Sequence, residues 1–164
     1  MITIGGLLAS SLPTMAVTDS YENDYRVCAA QLLSVGITAK PASQSCAAAL
    51  QPRELSSCVA KIHKLTQITP VDALSSCRQA RIPQDLATCV VSISKSYQGS
   101  ENSATLTSCG RSLLPVTFAN CVVGLRREID LSPTQALNTC IDASEGSSGF
   151  GAVSTKPLGS NSQQ

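Results

Sequence analysis

The eight cysteines of this chain are spaced so regularly that they constrain its fold more than any other feature. Successive intervals alternate between long and short, at 18, 12, 19, 12, 20, 12 and 19 residues. The long intervals define four modules, whose leading cysteines are 30, 31 and 32 residues apart. Self-similarity at a fixed period of this length indicates a repeat architecture. The cysteines are Cys28, Cys46, Cys58, Cys77, Cys89, Cys109, Cys121 and Cys140.

Apolar residues around the leading cysteines follow a helical period. They recur three residues before the cysteine and one and four residues after it, which together make one stripe of an α-helix. Alanine and leucine recur four and three residues before most closing cysteines, which marks a second helix. The pattern predicts all-α helical hairpins with both cysteines on inward stripes. The residues three before and four after the leading cysteines are Tyr25, Leu55, Leu86 and Phe118, and Leu32, Ile62, Ile93 and Leu125.

Prolines mark where the predicted helices begin. Pro52, Pro83 and Pro115 stand six residues before a leading cysteine, and Pro70 and Pro133 stand seven before a closing one. Proline is favoured at the first helical position because its missing N–H would have no helical partner there.

Within a module, the two cysteines are predicted to face each other. In CVAKIHKLTQITPVDALSSC, residues 58–77, each cysteine lies about seven residues from the turn, or about 10 Å along its helix. On antiparallel helices this places the two cysteines level with each other, as the Cα separation of about 5.5–6 Å in a disulfide requires. The predicted pairs are Cys28–Cys46, Cys58–Cys77, Cys89–Cys109 and Cys121–Cys140.

A second pairing across the short intervals remains open at this stage. It joins Cys46–Cys58, Cys77–Cys89 and Cys109–Cys121 through connectors such as RQARIPQDLAT, which also read as tight turns between helices. It leaves Cys28 and Cys140 to pair across the whole array, so parity favours the first scheme. Buried free thiols are a third interpretation. A zinc site is disfavoured, because zinc usually takes cysteines two to four residues apart.

Three segments follow from the composition along the chain. Residues 1–16 form a signal-like segment, a short apolar run that ends in small residues at Ala16 but lacks a basic start. Residues 17–143 form the helical cysteine-repeat domain. The long third-module turn, residues 96–103, is predicted to be an exposed loop, and the Gly/Ser/Gln-rich tail, residues 144–164, to be disordered. The four hairpins are expected to form an α-solenoid-like array or a compact helical bundle.

Charge argues against nucleic-acid binding. The net charge is +1 and only 14% of residues are charged, whereas phosphate binding needs a concentrated basic patch. The largest basic cluster, Arg126 with Arg127, is interpreted as a solvated helix face. The only histidine, His63, is interpreted as a polar surface residue of a helix.

No arrangement of residues in the sequence indicates catalysis. The chain has no G-x-S-x-G or H-E-x-x-H motif. Glu54, Asp72 and Asp85 each stand two residues after a helix-starting proline, where a carboxylate complements the helix dipole, so their role is interpreted as structural. We therefore predict no catalytic, cofactor-binding or metal-binding residue and do not expect an enzyme.

The repeated motif resembles a known kind of exported repeat. The motif P-x-x-L-x-x-C-V-x-x-I, seen as PRELSSCVAKI and PQDLATCVVSI and followed by I-T-P-x-x-A-L-x-x-C, is similar to repeats in uncharacterised exported cyanobacterial-type proteins. The resemblance covers residues 25–142 and implies export but no activity. The chain departs from the pattern at Glu22 and Asn102, which replace two of the expected prolines.

Two functions are compatible with these observations. The first is a secreted or periplasmic, non-enzymatic helical-repeat protein that acts as an interaction or structural module, with another protein as its partner on the outer face. The alternative is a carrier of an apolar ligand, such as a lipid, in a helix-lined cavity. Neither function requires a cofactor, and no segment reaches the roughly 20 apolar residues of a transmembrane helix.

Overall fold

The computed structural model describes residues 23–97 and 102–146. The signal-like segment, the middle of the long third-module turn, Glu22 and residues 147–164 lie outside the described residues. Within the described ranges the chain forms eight helices and no strand, so the all-α prediction is confirmed. The helices are α1 (Asp24–Ser34), α2 (Ala39–Ala48), α3 (Pro52–Leu65), α4 (Pro70–Gln79), α5 (Pro83–Ser96), α6 (Asn102–Arg111), α7 (Pro115–Glu128) and α8 (Pro133–Gly146).

The hairpins stack in chain order as two layers. The odd-numbered helices pack side by side, α1 on α3, α3 on α5 and α5 on α7, and each even-numbered helix packs against its own odd-numbered partner. Further contacts join α4 to α6 and α6 to α8. The main contacts thus run only within a module or between neighbouring modules, which is the arrangement of a solenoid.

All four predicted disulfides are present. The Cα–Cα distances are 5.9 Å for Cys28–Cys46, 6.1 Å for Cys58–Cys77, 5.9 Å for Cys89–Cys109 and 6.0 Å for Cys121–Cys140. The chain has no free cysteine, so both the short-interval pairing and the free-thiol interpretation are wrong. Each disulfide joins the two helices of one hairpin.

The core consists of aliphatic side chains packed around the disulfides. The predicted inward stripes are buried in α3 and α5, with Leu55, Ile62, Leu86 and Ile93 at most 3% exposed. Leu125 is only half-buried, and Tyr25 is the one exposed member of the predicted stripes, at 54%. It occupies the stripe position in α1, the first helix of the array, and no earlier described module covers that face.

The five predicted helix-starting prolines all occupy the first position of a helix. The turns of the second and fourth modules are built in a common way: an apolar residue packs against the core and the next residue caps the following helix. In the second module, Ile68 is buried and Thr69 Oγ1 accepts a hydrogen bond from the backbone N–H of Asp72 (3.2 Å). In the fourth, Ser132 and Gln135 form a reciprocal capping box.

Candidate functional site

The hairpin array has two long edges, and they differ in chemistry. The connector edge holds the links between modules, residues 49–51, 80–82 and 112–114, where even-numbered helices end and odd-numbered helices begin. The turn edge holds the turns inside modules, on the opposite side of the array. Every residue that the sequence singled out as a charge cluster or lone titratable group can be placed relative to these two edges.

His63 is a structural residue of the turn edge. It lies five residues after the leading cysteine, and its Nδ1 lies 3.1 Å from the carbonyl oxygen of Ile68 in the turn. A carbonyl oxygen only accepts, so Nδ1 carries the hydrogen and donates it. The side chain is half-buried. His63 therefore ties the end of α3 to its own turn.

Arg126 occupies the equivalent place in the fourth module, five residues after Cys121. Its Nε donates to the carbonyl oxygen of Leu131 (3.1 Å), which stands two residues before the helix-starting proline, as Ile68 does. Its Nη1 donates to the carbonyl oxygen of Ser96 (3.0 Å), and its guanidinium lies 4.2 Å from the centre of the Tyr97 ring. Arg126 thus joins the third module to the fourth.

The interpretation of Arg126 and Arg127 as a solvated helix face is therefore wrong for Arg126. Arg126 is half-buried and hydrogen-bonded to two backbone carbonyls, whereas Arg127 is exposed. Tyr97 also contributes to this contact between the third and fourth modules, since it is buried and its hydroxyl donates to the carbonyl oxygen of Pro133 (3.3 Å).

The carboxylates of the helix starts are dispersed along the array. Asp72 accepts a hydrogen bond from the Thr69 hydroxyl (2.7 Å), and Glu54 and Asp85 lie in the first turns of α3 and α5. Within residues 23–97 and 102–146, no group of three or more His, Cys, Asp and Glu side chains is arranged to hold a metal ion.

The connector edge exposes a row of aliphatic side chains. Leu50 is fully exposed, Leu113 is 78% exposed, Leu114 65% and Ile82 45%. Ile82 and Leu114 come directly before a helix-starting proline, and Leu50 and Leu113 stand one position earlier, so each described connector carries at least one of them. The described part of the turn edge also exposes single aliphatic residues, such as Val71, but these do not recur at one position of the repeat.

Two of these aliphatic residues occupy N-cap positions, where a polar side chain stabilises a helix most. Ile82 and Leu114 are the N-cap residues of α5 and α7, and neither they nor Gln51, the N-cap of α3, makes a side-chain capping bond. Serine, threonine, aspartate or asparagine at an N-cap stabilises a helix by about 1 kcal/mol relative to an apolar residue. Residues that depart from the N-cap preference without a gain in packing are expected at functional sites.

Two grooves run along the connector edge on the side of the even-numbered helices. The larger, about 740 Å³, lies between the ends of α2 and α4, and the smaller, about 160 Å³, lies between the ends of α4 and α6. Both are open to solvent, and they share Ala80 and Arg81. Arg78 lines the larger groove and Arg111 the smaller, and no acidic residue lines either of them.

Comparison with known proteins leaves this geometry as the main guide to function. No protein-family model matches the chain, and no curated protein and no solved structure is significantly similar to it. None of the described helices has the length and apolar character needed to cross a membrane.

Sequence reasoning missed the connector edge, although a signal was present. In ALQP, RIPQ and LLPV, leucine or isoleucine occupies the one or two positions before a helix-starting proline, where a capping residue is expected. The grooves have no comparable signal in the local sequence, because they are formed by residues from successive modules.

Proposed function

We propose that the protein is a secreted or periplasmic, non-enzymatic helical-repeat scaffold that binds another protein along its connector edge. The observation that carries the proposal is the row of exposed aliphatic residues at uncapped helix starts, Leu50, Ile82, Leu113 and Leu114. Single exposed leucines are common on protein surfaces, but exposed aliphatic residues at every described connector of one edge mark an interaction site.

Export is supported by the disulfides. Four cross-links with no free thiol are typical of proteins that fold in an oxidising compartment. The signal-like residues 1–16 agree with this proposal.

The dimensions of the edge favour an elongated protein segment as the partner. Packed helices lie about 8–10 Å apart, so successive connectors present their aliphatic side chains at about that interval. In a partner helix, residues seven positions apart are about 10.5 Å apart, so one helix face matches two or three connectors. A carrier of an apolar molecule has less support, since the grooves on this edge are open and lined by arginines.

A peptide selection tests the proposal. A random 15-residue peptide library displayed on phage is selected against the full chain with its disulfides intact, and enriched peptides are measured by fluorescence anisotropy. Replacing Leu50 and Leu113 together by serine is expected to weaken binding at least 10-fold, because burial of one leucine contributes about 1.5–3 kcal/mol. The unfolding temperature should not change, since both side chains are exposed.

Val71→Ser is the matched control, because it removes an exposed aliphatic side chain from the turn edge instead. Enriched peptides that bind the Leu50/Leu113 variant as tightly as the unchanged protein would refute the proposal. A lipid that co-purifies with the protein, detected by native mass spectrometry, would favour the carrier function.

A further inference from the structure

The larger groove of the connector edge has the chemistry of a carboxylate site. We call it the Ser45 groove; it lies between the C-terminal ends of α2 and α4, and buried Leu55 and Cys77 are among the residues that line it. Its volume of about 740 Å³ falls within the range of pockets that bind small ligands. The residues at its rim include Ala49, Leu50, Arg78, Arg81 and Pro83.

The charge of the groove is positive. Arg78 and Arg81 are both exposed, and neither makes a side-chain hydrogen bond or ion pair with the described residues. Glu54 directly precedes the lining residue Leu55 in the sequence, but Glu54 itself does not line the groove. The positive end of the α3 dipole beside the groove is offset by the negative ends of α2 and α4, so the net positive charge comes from the two guanidinium groups.

Ser45 provides a second, independent observation. Ser45 is among the residues that line the groove and is 1% exposed, yet its Oγ has no hydrogen-bond partner among the described residues. A buried polar group without a partner is destabilising by roughly 1–3 kcal/mol, and such groups are uncommon in native proteins. Its Oγ is enclosed in the free protein, so a ligand oxygen that displaces the adjoining wall of the groove would accept the hydrogen bond that Ser45 is able to donate.

We infer that the Ser45 groove binds an acidic side chain of the partner protein, an aspartate or glutamate flanked by aliphatic residues. Guanidinium groups bind carboxylates through charge-assisted and often bidentate hydrogen bonds. Arg78 and Arg81 hold the carboxylate, Ser45 donates a hydrogen bond to it, and Leu50 packs against the neighbouring aliphatic residue. This inference rests on the proposed function of the connector edge and specifies the chemistry of the partner.

The peptides enriched on the full chain provide the test. They are expected to carry Asp or Glu next to Leu, Ile or Val, and to bind more weakly as salt concentration rises. Arg78→Gln with Arg81→Gln should weaken binding at least 30-fold, since a charge-assisted hydrogen bond corresponds to roughly a 10- to 100-fold effect. Ser45→Ala should weaken binding about 3- to 10-fold without lowering the unfolding temperature, because in the free protein its hydroxyl has no partner.

A matched control removes two positive charges from the turn edge through Lys95→Gln and Arg127→Gln, and should leave binding within about twofold, as expected for exposed charges remote from the site. The carboxylate inference is overturned if enriched peptides lack acidic residues, or if the Arg78/Arg81 variant binds them within threefold while the Leu50/Leu113 variant does not. That result would leave the proposed function standing. If the Arg78/Arg81 variant and the Leu50/Leu113 variant both bind the peptides as tightly as the unchanged protein, the carboxylate inference and the proposed function are both overturned.

Discussion

Removal of the second-module disulfide tests what stabilises the array. The perturbation is Cys58→Ala with Cys77→Ala, which deletes a cross-link between two almost fully buried residues. The disulfide spans a sequence separation of 19 residues. For a closed loop of this length, the chain-entropy expression gives about 3 kcal/mol at 25 °C, through restriction of the unfolded state.

Packing adds to this value. Each substitution leaves the volume of one sulfur atom empty in the core, and loss of a buried group of that size lowers stability by about 1 kcal/mol. The variant should therefore lose about 5 kcal/mol of unfolding free energy. Native domains have about 5–15 kcal/mol in all, so the variant should lose between about a third and all of its stability.

The assay is equilibrium denaturation in urea, followed by far-ultraviolet circular dichroism. Cys28→Ala with Cys46→Ala is the matched control, because its loop has nearly the same length and its cysteines are equally buried, but it lies at the end of the array. We expect a similar loss there, confined to the first module, since end modules of a solenoid have only one neighbour. A loss below 1 kcal/mol for the Cys58/Cys77 variant would refute the reasoning.

Three further predictions concern single side chains, all measured by urea denaturation. Gln51→Ser should raise the unfolding free energy by about 1 kcal/mol, because α3 lacks a side-chain cap; no gain would contradict this. Ser94→Ala should be neutral or stabilising, since its buried hydroxyl has no partner among the described residues. Ser56→Ala should instead be destabilising by about 1 kcal/mol, because it removes the hydrogen bond from Ser56 to Gln31. Equal changes in unfolding free energy for the two variants would contradict this prediction. Arg126→Met should lower stability by about 3 kcal/mol through loss of two charge-assisted hydrogen bonds and its stacking on an aromatic ring, and a loss below 1 kcal/mol would show that these contacts contribute little.

The hairpins and their cross-links were predictable because their causes are local. A helix of known rise and a turn of a few residues place Cys58 and Cys77 level with each other without reference to the rest of the chain. The same applies to Pro70, whose ring stabilises the first helical position wherever the chain runs next. Counting residues along two helices therefore made this pairing possible, and the parity of the cysteines favoured it over the short-interval pairing, which turn geometry alone left open.

The role of Arg126 and the Ser45 groove depend on how separate modules meet. Nothing in the local sequence shows that Arg126 reaches the end of α5, because Ser96 is thirty residues away in the chain. Likewise Ser45 and Arg78 meet only when the second hairpin packs beside the first. The repeat and its disulfides were thus determined by short-range geometry, whereas the grooves and joints were decided by tertiary packing, since only packing brings side chains from different modules to one surface.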